Sequence, residues 1–154
     1  PASAVAGKQP TEHVVIEPIF QGQAYILEAG RGNTPNVLLV HGLGDEASET
    51  WDTLIPQLAK SCHVVAVDLP GFGKSEKQNK LYSPTAYAAF LEWVVDRYLS
   101  EPLIVVGHSL VGAVALKYAA TYPRGIERLI VADVAEILHR RTYPREVIEP
   151  EVCT

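Results

Sequence analysis

The hydrophobic pattern along the chain alternates between short apolar runs and longer stretches with helical spacing. Four mainly apolar runs of strand length occur at 36–40, 63–67, 103–106 and 128–132. Runs of this kind are typical of strands that are buried on both faces of a parallel sheet. Between these runs, apolar residues recur at helical spacing in three segments, 50–60, 83–98 and 109–122. The pattern therefore predicts strands that alternate with helices.

Two further β-rich segments, 13–20 and 24–27, precede the first apolar run and are separated by the turn signal Gln21-Gly22. They predict an amino-terminal hairpin. A hairpin followed by alternating strands and helices predicts an α/β fold with a mostly parallel, twisted sheet that carries helices on both faces. We expect residues 13–134 to form this core.

The two ends of the chain differ from the core in composition. Residues 1–12 are small or polar and predict a flexible leader, and the chain does not begin with Met. This start fits either the processed end of an exported protein or a trimmed end, so a cytoplasmic and an exported location both stay open. Residues 135–154 carry only scattered apolar positions, which indicates the start of a lid or cap segment or a disordered tail.

Composition excludes several classes of partner. The chain has 154 residues, of which 47% are hydrophobic and 20% charged, as in an ordinary soluble domain. Its formal net charge of -5 and the absence of a basic cluster argue against nucleic acid or an anionic membrane surface as a partner. No apolar stretch has the length of a membrane span. Cys62 and Cys153 match no metal-binding spacing, and we expect neither a metal nor a cofactor.

The segment 107–112, Gly-His-Ser-Leu-Val-Gly, lies directly between an apolar run and a helical segment. A serine between a buried strand and a helix predicts a nucleophile elbow, with Ser109 as the nucleophile. The helix start places the backbone N–H of Leu110 and the positive end of the helix dipole beside that serine. Val111 stands where a Gly-x-Ser-x-Gly elbow has its second glycine, and Gly112 follows one place later.

Two other segments follow predicted strands and belong to the same edge of the sheet. His41-Gly42-Leu43-Gly44 follows the run 36–40, and its glycines allow the backbone N–H of Leu43 to approach a developing oxyanion. Asp133 follows the run 128–132. Because open α/β sheets bind ligands at the carboxyl ends of their strands, these segments and Ser109 predict one catalytic site.

Together these segments resemble the α/β-hydrolase superfamily, in particular its branch of serine esterases, lipases and C–C-bond hydrolases. The resemblance rests on Val-Leu-Leu-Val-His-Gly-Leu-Gly at 37–44, Val-Asp-Leu-Pro-Gly-Phe-Gly-Lys-Ser at 67–75 and the segment 107–112, and it covers about residues 13–140. It implies that Ser109 attacks an acyl carbon while the N–H groups of Leu43 and Leu110 hold the oxyanion. It further implies that His41, His108 and Asp68 are scaffold and loop-shaping residues.

The rest of a catalytic triad is incomplete in the sequence. The family order is serine, acid, histidine, and Asp133 matches the position of the acid in some members. The one histidine after Ser109 is His139, which lies in the lid-like segment, so the general base is not identified. By resemblance, the six predicted strands correspond to the amino-terminal part of the family fold, which has two more strands.

Two explanations account for this incomplete pattern. The chain is either the amino-terminal piece of a longer hydrolase, which we favour, or a short protein that has lost its catalytic activity. In either case the strand at 129–132 is an apolar edge, and we expect a carboxy-terminal fragment, a swapped protomer or a dimer partner to cover it.

The sequence therefore predicts a serine hydrolase that acts on a small ester or related acyl substrate through an acyl-enzyme, with the activity of the 154 residues alone left open. A non-catalytic binding module of the same fold, or an inactive fragment, is the first alternative, and Val111 and the absent histidine are the reasons to retain it. An acyltransferase that uses the same serine is a further alternative.

Overall fold

The computed structural model describes residues 9–42, 47–109 and 112–132, and these residues build one six-stranded sheet with helices packed against it. The strands are β1 Thr11–Ile16, β2 Gln23–Ala29, β3 Asn36–Val40, β4 His63–Asp68, β5 Leu103–His108 and β6 Ile126–Ala132. The helices are a 3-10 helix Ala47–Trp51, α1 Ile55–Leu58, α2 Pro84–Tyr98 and α3 Gly112–Thr121.

The strand order in the sheet is β1-β2-β4-β3-β5-β6. The neighbours β3–β4, β3–β5 and β5–β6 are parallel, whereas β1–β2 and β2–β4 are antiparallel. This arrangement confirms the predicted α/β fold with an amino-terminal hairpin and a mostly parallel sheet. Because β3, β4 and β5 run in the same direction, the segments that follow them meet at one edge of the sheet.

The two faces of the sheet are covered unequally. On one face, α2 and α3 pack together over the larger apolar cluster, to which they contribute Phe90, Leu91 and Tyr118. On the other face, a smaller cluster gathers Leu39 and Trp51 beneath the 3-10 helix and the single turn of α1. The larger cluster therefore fixes the position of α3, which begins just after Ser109.

The predicted helix over 50–60 is wrong as a single element. The structure instead has a 3-10 helix over Ala47–Trp51 and the one-turn helix α1 over Ile55–Leu58. The physical reason is Pro56, which lies in the first turn of α1. A proline inside a continuous helix would lose one hydrogen bond, and its ring would clash with the carbonyl of Asp52 four residues earlier.

Several predicted boundaries differ from the structure. Strand β1 begins at Thr11, inside the segment predicted as a leader, and ends at Ile16. Residues 17–20 form a turn rather than a strand because the Glu17 carboxylate accepts the backbone N–H groups of Ile19 and Phe20. Ser109, predicted as the first residue of α3, has a left-handed φ of +59° and lies outside the described helix.

Strand β6 is longer and more exposed than predicted. It spans Ile126–Ala132, and its residues alternate between half-buried and exposed. In the described part of the chain it pairs with β5 alone and lies at the end of the sheet, which leaves Ile130 48% exposed. The prediction of a buried strand is therefore wrong for the described residues, among which β6 is an edge strand, and the expected partner at this edge stays a prediction.

A polar cluster spans several strands of the sheet at the end where β3 and β4 begin, opposite the end where Ser109 lies. The buried carboxylate of Glu28 on β2 lies 3.0 Å from His13 Nε2 on β1 and 2.7 Å from His63 Nε2 on β4. His63 Nδ1 lies 2.9 Å from Asn36 Oδ1 on β3. Arg31 approaches the same carboxylate at 3.4 Å. This cluster joins four neighbouring strands, and sequence analysis did not find it.

The charge state of Glu28 follows from these contacts. Burial alone would raise the pKa of this carboxyl group, but the hydrogen bonds from His63 and His13 and the charge of Arg31 hold the pKa below its ordinary value of 4.5. Glu28 is therefore an anion at neutral pH, and it is stabilised from three sides.

The helices also bear on membrane insertion. The longest, α2, has 15 residues, of which several are charged or polar. Within residues 9–42, 47–109 and 112–132, no helix combines the length and the apolar character that a membrane crossing requires.

Candidate active site

Several residues predicted for the catalytic site come together where β3, β4 and β5 end. His41 and Gly42 directly follow β3, Asp68 is the last residue of β4, and Gly107 and His108 end β5 just before Ser109. The other predicted positions lie outside the described residues; these are Leu43, Gly44, Leu110, Val111, Asp133 and His139.

Ser109 has an unusual backbone conformation. Its φ is +59°, in the left-handed region that residues other than glycine rarely adopt. The residue is half-buried and lies between the end of β5 and the start of α3. Such a conformation costs roughly 1–3 kcal/mol and persists only where the surrounding structure imposes it. The chain therefore turns sharply at this serine.

Two glycines permit the close packing around this turn. A Cβ atom built on Gly42 would lie 3.0 Å from the Cβ of Ser109 and 2.9 Å from His108 Nδ1. A Cβ atom on Gly107 would lie 2.7 Å from the Cβ of Ala115 on α3. The contact at Gly107 is closer than a side chain allows, so glycine at 107 brings α3 against β5. A Cβ at 42 would require His108 and Ser109 to shift, so glycine at 42 lets the β3 loop lie close to Ser109.

The hydrogen bonds of His41 define its tautomer. Its Nε2 accepts the backbone N–H of Leu69 at 3.0 Å, so this atom carries no proton. Its Nδ1 therefore carries the proton and donates to the carbonyl oxygen of Gly42 at 2.6 Å. Burial lowers the pKa of His41 from its ordinary value of 6.5, although the bond to Gly42 and the charge of Asp68 oppose this. With both nitrogens engaged, His41 is a neutral scaffold residue rather than a free base.

Asp68 binds the backbone of two loops. Its Oδ1 accepts the N–H of Ser48 at 2.8 Å, and its Oδ2 accepts the N–H of Lys74 at 2.8 Å. Its own carbonyl oxygen accepts the hydroxyl of Ser75, which in turn accepts the N–H of Tyr25. This buried carboxylate thus shapes the loop after β4 and reaches the 3-10 helix that follows β3.

His108 lies on the face of the sheet that carries the smaller apolar cluster. Its ring meets the Trp51 ring edge to face, with centroids 6.2 Å apart and an interplanar angle of 81°. Trp51 is buried and belongs to the smaller cluster. This contact connects the end of the 3-10 helix to the residue before Ser109 and gives His108 a packing role.

Sequence analysis missed Ser48 and Trp51 as residues of this site. Ser48 contributes a backbone N–H, which has no residue-type signature, and its partner Asp68 lies 20 residues away in the chain. The sequence pattern predicted Trp51 only as an apolar position of the helix over 50–60. Within the part of the chain that the structure describes, no group of three or more His, Cys, Asp or Glu side chains is arranged to hold a metal ion.

Comparison with known proteins identifies the family. The model of the alpha/beta hydrolase fold matches residues 35–147 of this chain. The protein therefore belongs to the α/β-hydrolase family, which confirms the resemblance inferred from the three sequence segments.

Individual relatives include named enzymes. The uncharacterized protein Rv2715 of Mycobacterium tuberculosis is 38% identical over 106 residues, which are 69% of this chain and 31% of that protein. Esterase Rv0045c of Mycobacterium tuberculosis is 36% identical over 120 residues, 77% of this chain and 39% of that protein. Among solved structures, the thioesterase domain from the curacin biosynthetic pathway has a TM-score of 0.70 at 28% sequence identity. The match covers 79% of this chain and 43% of the thioesterase chain. The chain thus spans between 31% and 39% of these two curated relatives.

Proposed function

We propose that the protein is a serine hydrolase that acts on an ester or related acyl substrate through an acyl-enzyme on Ser109. The observation that carries this proposal is the left-handed backbone of Ser109 at the end of β5, with Gly42 packed against it. A strained serine at a strand-to-helix turn is the arrangement that exposes the nucleophile in α/β-hydrolases. The esterase and thioesterase names among the similar proteins support the same reaction class.

In this proposal the hydroxyl oxygen of Ser109 attacks the acyl carbon, and the backbone N–H groups of Leu43 and Leu110 stabilise the oxyanion that forms. Two such donors lower the barrier by several kcal/mol. Asp133 is the proposed acid of the triad, and the histidine that takes the serine proton is not identified. Collapse of the tetrahedral intermediate releases the alcohol, and water then hydrolyses the acyl-enzyme.

Covalent capture tests this proposal. Native protein treated with a fluorophosphonate is expected to gain one adduct by intact-mass measurement, and peptide mapping is expected to place it on Ser109. The exposed Ser61 offers a matched control, because Ser61→Ala leaves the proposed nucleophile in place. A folded sample that gains no adduct would instead favour a non-catalytic binding module.

An acyltransferase that uses the same serine is the second candidate. The two activities share the acyl-enzyme and differ only in whether water or another nucleophile accepts the acyl group. Product analysis with a labelled acyl ester distinguishes them, since a transferase forms a new acyl conjugate in the presence of an alcohol or amine acceptor.

We further propose that additional polypeptide covers the edge at β6. On one face of the sheet, Ile130 lies beside Val106 of β5, and both are at least partly exposed. The curated relatives are longer than this chain, so further sequence or a second copy is available to pack there. We expect light scattering of the native protein to give a mass above the 16.8 kDa of these 154 residues. A monodisperse species of that mass would contradict this part of the proposal.

A further inference from the structure

The residues at the two ends of the segment between β3 and the 3-10 helix are bound to two adjacent residues, Asp68 and Leu69. At its start, His41 accepts the backbone N–H of Leu69 through Nε2. At its other end, the backbone N–H of Ser48 donates to Asp68 Oδ1. His41, Ser48, Asp68 and Leu69 are all buried, so water does not compete for these bonds.

The backbone beside Ser48 is strained. Ala47 has a φ of +46°, in the left-handed region, and its side chain is buried. An alanine keeps this conformation only where its surroundings impose it. The bond from the adjacent Ser48 N–H to Asp68 is one such restraint, because it fixes the peptide that follows Ala47.

We propose that His41 and Asp68 are positioning residues for catalysis, because His41 holds Gly42, which packs against Ser109, and Asp68 holds Ser48. This inference rests on the proposed function, in which Leu43 of the segment between β3 and the 3-10 helix supplies an oxyanion donor. The contact of Gly42 with Ser109 connects that segment directly to the proposed nucleophile. A shift of about 1 Å in such a donor is enough to slow acyl transfer strongly.

We call the hydrogen bonds from the backbone to His41 and Asp68 the clamp, and their donors and acceptors determine which substitutions should break it. The Asp68 carboxylate accepts two backbone N–H groups, one on each oxygen. In Asp68→Asn the amide nitrogen is a donor, so one of these N–H groups loses its acceptor. For His41, glutamine places an acceptor near the position of Nε2, whereas asparagine is too short to reach Leu69. His41→Gln should therefore retain the clamp and His41→Asn should lose it.

Amide exchange measured by NMR tests the clamp itself. We expect one of the Ser48 and Lys74 amides to exchange at least about tenfold faster in Asp68→Asn, and the Leu69 amide to do so in His41→Asn but not in His41→Gln. Glu17→Gln is the matched control. Glu17 is a buried carboxylate that accepts backbone N–H groups in the β1–β2 turn, away from this site. The control should leave the exchange of all three amides unchanged.

The rate of fluorophosphonate capture tests the catalytic consequence. We expect capture by Ser109 to slow about tenfold in Asp68→Asn and in His41→Asn, and to stay near the wild-type rate in His41→Gln and Glu17→Gln. Folded Asp68→Asn and His41→Asn proteins that react at the wild-type rate would overturn the inference. If Asp68→Asn does not fold, the two His41 variants decide.

The two proposals fail in different ways. A wild-type protein that captures no phosphonate contradicts the proposed function. The amide exchange rates then test by themselves whether the clamp holds the backbone. Loss of Leu69 protection in His41→Asn but not in His41→Gln supports these hydrogen bonds in that case, and unchanged protection in both variants overturns the inference.

Discussion

Replacing Ser109 with alanine is expected to abolish ester hydrolysis by the native protein, with a fall in kcat/KM of more than about a thousandfold. The reason is that no acyl-enzyme forms without the hydroxyl, while substrate binding and oxyanion stabilisation remain. Alanine also lacks a polar side chain, so the strained backbone at this position gains no new interaction. Initial rates with a chromogenic ester and a matched circular dichroism spectrum measure the effect on a folded protein.

Ser61→Ala is the control for this experiment because Ser61 is an exposed serine before β4, away from Gly42 and Ser109. It should hydrolyse the same ester at the wild-type rate. If Ser109→Ala kept a substantial part of the activity, Ser109 would not be the nucleophile, and the proposed acyl-enzyme would have to be abandoned.

Replacing Glu28 with glutamine is expected to lower the free energy of unfolding by about 2 kcal/mol at neutral pH. Glu28 is only 4% exposed, and its two carboxylate oxygens face His13 and His63, with Arg31 close by. A neutral amide offers one oxygen and one nitrogen. One histidine therefore meets a donor in place of an acceptor, and the charge that compensates Arg31 is lost. Urea unfolding followed by circular dichroism measures the difference.

The pH dependence of stability separates this effect from a simple packing defect. Because the folded protein holds the pKa of Glu28 below 4.5, the stabilisation it provides is complete above that pH and is lost as the pH falls through the folded-state pKa. The difference between wild type and Glu28→Gln should therefore persist from neutral pH down to about pH 4.5 and shrink below that pH. The exposed Glu127 on β6 provides the control, and Glu127→Gln should change stability little above or below that pH. A difference that stays constant with pH would contradict the assigned charge of Glu28.

The strands were predictable because each is a local property of the sequence. The predicted run 36–40 coincides with β3, and the other central runs fall inside β4 and β5, because strands buried on both faces require continuous apolar residues. Helix α2 was predictable for a similar reason. Ser83 caps it by accepting the N–H of Ala86, and Pro84 occupies the first turn.

Helical spacing alone failed at 50–60. The apolar positions there are correctly spaced, but Pro56 interrupts the hydrogen-bond pattern, and Asp68 binds the Ser48 N–H within a 3-10 helix. The exposure of β6 was not a local property either. It depends on what else packs against the end of the sheet, and apolar content does not report this.

The family and the order of the strands follow from the amino-acid sequence, because buried strands, turn residues and the serine between β5 and α3 leave local signatures. Four features become visible only in the folded molecule: the tautomer of His41, the two backbone partners of the Asp68 carboxylate, the left-handed conformation of Ser109 and the charge cluster around Glu28. These features join residues that lie far apart in the chain or depend on backbone N–H groups that every residue type carries. Their geometry therefore exists only once the strands have been placed side by side.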